Sequence, residues 1–208
     1  MQSFRACAST DIDDRMNRRL TLFSLLALIV TTPAIAAAPV RVTLETTAGN
    51  IVIELATKQA PITSANFLAY VDRKRFDGTE FYRVARAPGA KGRGFIQGGI
   101  RHSFAKMLNP IPHEPTSKTG LRHLDATISM ARDEPGTAMG DFFIACGPLP
   151  SMDATPKNPG FAAFGKVVKG MDVVRRILAM PTIPRAGREG MKDQMLDKPV
   201  RILSAHRS

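Results

Sequence analysis

Apolar and polar positions alternate where the globular part of the chain begins. Val40, Val42 and Leu44 interleave with Arg41, Thr43 and Glu45, and Ile51, Ile53 and Leu55 flank Val52 and Glu54. Ala48-Gly49-Asn50 lies between the two runs as a turn signal, so they predict a β-hairpin with one aliphatic face. The period then changes. Pro61 suits a helix start, Thr63 or Ser64 is placed to cap it, and Phe67, Leu68 and Val71 share a helical face until Asp77-Gly78 breaks the pattern. Short strands are predicted at 81–84, 95–97, 127–131, 142–146 and 163–168, separated by Gly- and Pro-rich loops at 87–94, 109–120, 132–140 and 147–160. Residues 171–180 return to a helical stripe of Val174, Ile177 and Leu178, and 200–203 predict a last strand. The polar, basic span 181–198 predicts a surface loop. Many short strands and few helices indicate an all-β sandwich or barrel.

The N-terminus follows another pattern. Asn17-Arg18-Arg19 precedes an apolar run over 20–30, and Ala34-Ile35-Ala36 fits the small-x-small rule of signal peptidase. The run falls short of the roughly 20 residues that span a bilayer, which weighs against the alternative of an uncleaved anchor. Cleavage is expected after Ala36, with Ala38 as the other site. Met16 is an alternative start, because 1–15 is polar and carries Asp11, Asp13 and Asp14. The expected organisation is an N-terminal extension and signal peptide over 1–36, then one periplasmic domain over 37–208. A domain of that length buries about 70% of its unfolded surface and needs no staples. Cys7 precedes the cleavage site, which leaves Cys146 as a small buried hydrophobe rather than a reactive thiol.

The 208 residues carry 29 Lys and Arg against 18 Asp and Glu, a net charge of +11, and losing 1–36 removes four Arg and three Asp to leave +10. Such a balance raises nucleic acid or a membrane surface as partners. Apart from Arg73-Lys74-Arg75 and Arg175-Arg176 the cations are scattered, and no aromatic ladder is interleaved with them. The expectation is a soluble basic surface on a monomer, with no nucleic-acid partner and no stable membrane insertion once the signal is removed. His102, His113, His123 and His206 show no metal-ligand spacing, and no phosphate loop, dinucleotide fingerprint or nucleophile motif occurs. A site without metal or cofactor is expected.

Four segments carry the candidate chemistry. Phe81-Tyr82-Arg83-Val84 and Gly94-Phe95-Ile96-Gln97-Gly98-Gly99 set one cation and one amide on neighbouring apolar stretches. Asp141-Phe142-Phe143-Ile144 and Phe161-Ala162-Ala163-Phe164-Gly165-Lys166-Val167 follow. Spacing alone leaves Arg83 open as an ordinary surface cation, Gln97 as a strand-end amide serving a turn, and the Phe and Met residues as core. Strand period also places Arg83 on the face of Phe81, so a groove-facing Arg83 beside a core-facing Phe81 requires a strand end or a bulge.

Taken together, these segments resemble the signature of the cyclophilin-type peptidyl-prolyl isomerases over about residues 41–174. The resemblance implies a closed eight-stranded antiparallel barrel with a helix at each end, a packed interior, and a substrate groove outside. It implies Arg83 as the catalytic arginine and Gln97 as the glutamine that contacts the substrate backbone and helps hold it. Phe95, Ala131, Phe143, Met152 and Phe161 then form the proline pocket, with Arg132 in a further substrate-contacting slot. The implied activity is rotation about X-Pro bonds in proline-containing, unfolded or newly exported polypeptides. Several positions depart from the family pattern. Residues 86–93 look inserted, Gly94 falls near the slot of a pocket Phe, Arg132 replaces an asparagine, and Phe161 replaces a frequent histidine. Gly140-Asp141 replaces a small polar residue followed by Gln or Glu, and the absence of Trp implies weak cyclosporin binding. Two rivals stand beside this reading. One is a non-catalytic chaperone module that holds proline peptides on the same barrel, supported by Arg132 and Phe161. The other is a secreted barrel with an internal ligand cavity, which the Phe, Ile, Val and Met content disfavours by filling the interior.

Overall fold

The alternation over the first runs closes as the expected hairpin. β1 (Arg41–Thr46) pairs antiparallel with β2 (Gly49–Leu55), setting Val42 opposite Ile53 and Leu44 opposite Ile51, all four fully buried. The structure, a computed structural model, describes residues 38–208 apart from His102; the expected extension and signal peptide over 1–36 lie outside the described residues. Six further strands follow: β3 (Glu80–Arg86), β4 (Gly94–Gly99), β5 (Thr127–Met130), β6 (Phe142–Cys146), β7 (Ala162–Lys169) and β8 (Met195–Arg207). They close in the order β1-β2-β7-β5-β6-β4-β3-β8, antiparallel throughout. Closure leaves no unpaired sheet edge to recruit another chain.

Among the described residues three α-helices accompany the barrel: α1 (Pro61–Asp72), the single turn α2 (Thr116–Thr119) and α3 (Met171–Ala179). α1 follows the end of β2, whereas Val173 of α3 packs against Gly49 at its beginning, so the two longer helices cover opposite ends. Phe67 of α1 meets Phe76, Phe142 and Phe164 at ring-centroid distances of 5.0, 5.4 and 5.2 Å, and these rings fill one end of the interior. Ile53, Ile96, Ile128 and Val174 are fully buried in the same core. Burial pushes the Cys146 thiol up to about 11, so it stays protonated and behaves as a small apolar side chain.

Two expectations need correction. Neither Thr63 nor Ser64 caps α1; the cap position is Ala60, which has no side-chain bond. The carboxylate of Glu114 takes the free amides instead, accepting from the Ile62 and Thr63 N–H groups at 3.2 and 2.7 Å and from the Thr63 hydroxyl at 2.6 Å. An anion at a helix N-terminus is favoured by the helix dipole, and this one arrives from 51 residues downstream. The last strand is also far longer than 200–203. It starts at Met195, inside the expected loop, and pairs with both β1 and β3. Its pairing partners jump from Val200 to Met195 while β3 advances only from Phe81 to Arg83, so the alternation that would reveal a strand is interrupted around Pro199.

Candidate active site

A bulge settles which way Arg83 points. The β3–β4 register passes from Phe81 opposite Gly98 to Arg83 opposite Gln97, which leaves Tyr82 as an extra residue. Phe81 and Val84 can therefore both turn into the core, while Tyr82 and Arg83 line a groove of about 1100 Å³. Elsewhere simple alternation suffices. Ile96, Met130, Phe142 and Ile144 face the core, and their neighbours Phe95, Gln97, Ala131 and Phe143 face the groove, so the groove lies on the outer wall of the barrel. Arg132, Met152 and Phe161 line it as well, so the structure brings all eight sequence-derived candidates to one cleft. Residues 86–93 form a hairpin connection, closed by the Ala87 N–H on the Arg93 carbonyl at 2.9 Å. Gly94 has φ +143°, and a Cβ there would meet the Ala85 carbonyl oxygen at 2.0 Å, so this slot has no room for a pocket side chain.

Arg83 is held by two neutral amides. Its Nη1 donates to Gln97 Oε1 at 2.7 Å, and its Nε donates to Gln194 Oε1 at 2.9 Å. Among the described residues no carboxylate bonds to this guanidinium. Burial lowers the Arg83 pKa, yet arginine stays charged across the accessible pH range. The orientation of the Gln97 amide follows from a chain of obligatory roles. Tyr82 lends its hydroxyl proton to Asp141 Oδ1 at 3.2 Å and accepts from Gln97 Nε2 at 2.8 Å, so Gln97 Oε1 is the end left for Arg83. Burial, reinforced by the Asp141 charge, holds the Tyr82 phenol well above its ordinary range, so it remains a donor.

Below Arg83 the site is aromatic. The guanidinium carbon lies 5.2 Å from the centre of the Phe95 ring, which is 5.1 Å from Phe143. Phe161 meets Phe143 edge-on at 5.5 Å and 89°. His123 stacks on Phe143 at 5.8 Å and 13°. A carboxylate can only accept, so the His123 Nδ1–H donates to Asp153 Oδ1 at 2.7 Å, and Nε2 receives the Ser129 hydroxyl at 2.9 Å. This Ser–His–Asp order echoes a hydrolase relay, but Ser129 is fully buried, so the set braces the pocket floor. Burial pushes the His123 pKa below its usual value, against the upward pull of Asp153, and keeps the imidazole neutral. Arg132 stacks over Phe161 at 5.0 Å and donates to the carbonyls of Asp133, at 3.1 Å, and Gly160. Its two Nη groups are engaged on the groove wall, while its Nε is buried without a hydrogen-bond partner among the described residues.

Sequence reasoning missed several groups of the site. Tyr82 gives no signal of its own, because the position of the bulge is invisible without a register. His123, buried beneath the groove, reads in the sequence only as a histidine without metal-ligand spacing. Gln194 and Arg188 lie in the span expected to be a plain surface loop, yet this span forms one side of the groove. Arg188 reaches Asp133 at 2.8 Å, linking the span to the loop after β5.

Comparison with known proteins supplies an independent view. The family model for cyclophilin type peptidyl-prolyl cis-trans isomerases matches residues 41–207. The chain is 36% identical over 194 residues to the peptidyl-prolyl cis-trans isomerase A of Dickeya dadantii, covering 91% of this chain and 97% of that protein. It is 36% identical over 164 residues to a peptidyl-prolyl cis-trans isomerase of Acinetobacter baylyi, covering 78% of this chain and 82% of the other. The crystal structure of a Cryptosporidium parvum cyclophilin type peptidyl-prolyl cis-trans isomerase has the same fold, with a TM-score of 0.63 and 20% identity over 82% of this chain and 98% of that one. The family model matches almost the whole of the described chain, and the bacterial relatives share 36% identity over most of their own length: the chain belongs to the cyclophilin-type peptidyl-prolyl cis-trans isomerases.

Proposed function

We propose that the protein accelerates cis–trans rotation about X-Pro bonds of unfolded or newly exported chains through Arg83, above a proline pocket built on Phe95, Ala131, Phe143, Met152 and Phe161. The barrier to that rotation, about 20 kcal/mol, is amide resonance. A donor aimed at the prolyl nitrogen favours the twisted bond, whose nitrogen lone pair is localised, over the planar one. The observation that carries this reading is a guanidinium over the Phe95–Phe143 surface with only neutral amide oxygens as partners. A carboxylate partner would cancel the positive potential that the lone pair meets; an amide holds the cation without cancelling it. With Nε and one Nη1 proton engaged, the Nη2 donors remain for substrate. Gln97 both holds Arg83 and offers its amide to the substrate backbone. The sequence pattern of 1–36 supports export to the periplasm, and the scattered cations support the absence of a nucleic-acid partner; the reading is completed by a monomer with no stable membrane insertion once the signal is removed. Cyclosporin binding is weak in this reading, and nanomolar inhibition would count against it.

Replacing Arg83 by Ala is expected to lower kcat/KM at least tenfold, about 1.4 kcal/mol of transition-state stabilisation, with the fold intact. NMR exchange on a proline peptide measures it, and equal rates would remove Arg83 from the mechanism. A second reading, a peptide-holding chaperone without catalysis, is favoured by Arg132, whose guanidinium is engaged with Phe161 and Gly160 rather than left free for a substrate backbone. Peptide binding without faster exchange in the wild-type protein would select it.

A further inference from the structure

We propose that Gln194 is a positioning residue for Arg83, brought to the site by the segment that joins α3 to β8. This inference rests on the reading of Arg83 given above. The two residues are 111 apart in sequence, and backbone pairing brings them together: the Val84 N–H donates to the Gln194 carbonyl at 2.8 Å, and Met195 pairs with Arg83. The Gln194 side chain is therefore anchored beside the bulge that turns Arg83 outward. Its amide is oriented by Nε2 reaching the Gly190 carbonyl at 3.4 Å, which directs Oε1 to Arg83 Nε. The segment is pinned on itself by the Arg185 N–H on Asp193 Oδ1 at 2.6 Å and across to the loop after β5 by Arg188 on Asp133.

A guanidinium is a planar fork, and one acceptor leaves it free to swing about that single bond. Gln97 takes Nη1 and Gln194 takes Nε, on separate edges, so together they fix both the tilt and the rotation of the plane. The remaining Nη2 donors then keep one direction before substrate arrives, which is the preorganisation that lowers a barrier. The acceptor must also be neutral. A glutamate in the same place would hold the same geometry while neutralising the cation.

Two variants test this. Gln194→Met keeps the side-chain length and removes the acceptor; kcat is expected to fall about fivefold with KM within about twofold, and the Arg83 Nε–Hε resonance to shift and broaden. Gln194→Glu keeps the acceptor and adds a charge; its kcat is expected to fall further at pH 7 and to recover relative to wild type as pH drops below about 4, where the carboxyl becomes protonated. A merely structural role predicts a ratio to wild type that does not change with pH. All rates come from NMR exchange at saturating proline peptide, with Arg83→Ala measured alongside. An inactive Arg83→Ala beside a Gln194→Met of unchanged kcat and unchanged Nε–Hε resonance overturns the role of Gln194 alone. A fully active Arg83→Ala overturns both assignments. If Gln194→Met unfolds, the pH-dependent ratio of Gln194→Glu decides: recovery in acid supports the proposal, and a flat ratio rejects it.

Discussion

Arg83 is gripped from two sides that differ in kind. On one side Gln97 belongs to β4, is only 8% exposed, and has its amide fixed by a buried chain through Tyr82 to Asp141. On the other, Gln194 comes from an irregular segment, and its amide is oriented by one long bond to an exposed carbonyl. The sheet side carries a high cost of error, since a flipped or unpaired amide would be buried. The segment side is near water, which can replace a lost partner. A catalytic cation held in this way has one rigid reference and one adjustable one. Rigidity comes from groups whose hydrogen-bond roles leave no alternative, and adjustability from groups that solvent can relieve.

Several measurements would break or sharpen that contrast. The largest effect is expected from removing what both sides hold. In an Arg83→Ala background, where kcat/KM is already at least tenfold down, adding Gln194→Met should change the rate no further, as a double-mutant cycle would read, whereas adding Gln97→Ala should lower it again because that amide also meets the substrate backbone. A further drop with Gln194→Met would mean that this amide too acts on substrate independently. Next comes Tyr82→Phe, which strips the buried Gln97 Nε2 of its acceptor. About 1–3 kcal/mol of stability should disappear in urea unfolding, whereas Gln194→Met, which removes the partners of Arg83 Nε and of the Gly190 carbonyl where water can replace them, should cost less, under about 1 kcal/mol. Equal losses would erase the distinction between the two sides.

The pocket floor beneath both sides offers a pH test. His123 is held neutral because its folded pKa lies below the unfolded value of about 6.5. Above that pH neither state carries the proton, and no stability is lost. As pH falls below about 6.5 the unfolded chain takes up a proton that the folded one refuses, so stability declines down to the folded pKa. His123→Gln should flatten the decline in thermal unfolding between pH 7 and 5; an unchanged slope would assign it to other groups. The smallest effect belongs to Arg188→Ala. Its ion pair with Asp133 is exposed by about 60% at both ends, so the loss should stay below about 0.5 kcal/mol and shrink further in salt.

Much of the architecture was legible in the residues. The hairpin partners Val42, Leu44, Ile51 and Ile53, the strands around Phe142 and Phe164, and the stripe of α3 follow from period and turn signals, which are local properties. The closed barrel and the cluster of Arg83, Gln97, Phe95 and Phe143 came from the family resemblance, since a chain of short strands does not announce its own closure. The cap of α1 was misassigned because Glu114 satisfies it from 51 residues away. The start of β8 was hidden because its register slips by several residues against β3. His123 carried no readable sign of its task, because its partners Ser129 and Asp153 meet only in the fold.

The sequence by itself therefore determined which stretches become strands and helices; the irregularity near Arg83 was called for only once the family resemblance placed Arg83 in a groove, because alternation cannot place Phe81 and Arg83 on opposite faces. The tertiary structure alone decided where that irregularity falls, which proton each amide shares, and that Gln194 stands beside Arg83. Periodicity is encoded over a few neighbouring residues. A hydrogen-bond partner is chosen by whichever distant segment the closing sheet brings within 3 Å, and that choice exists only once the chain is folded.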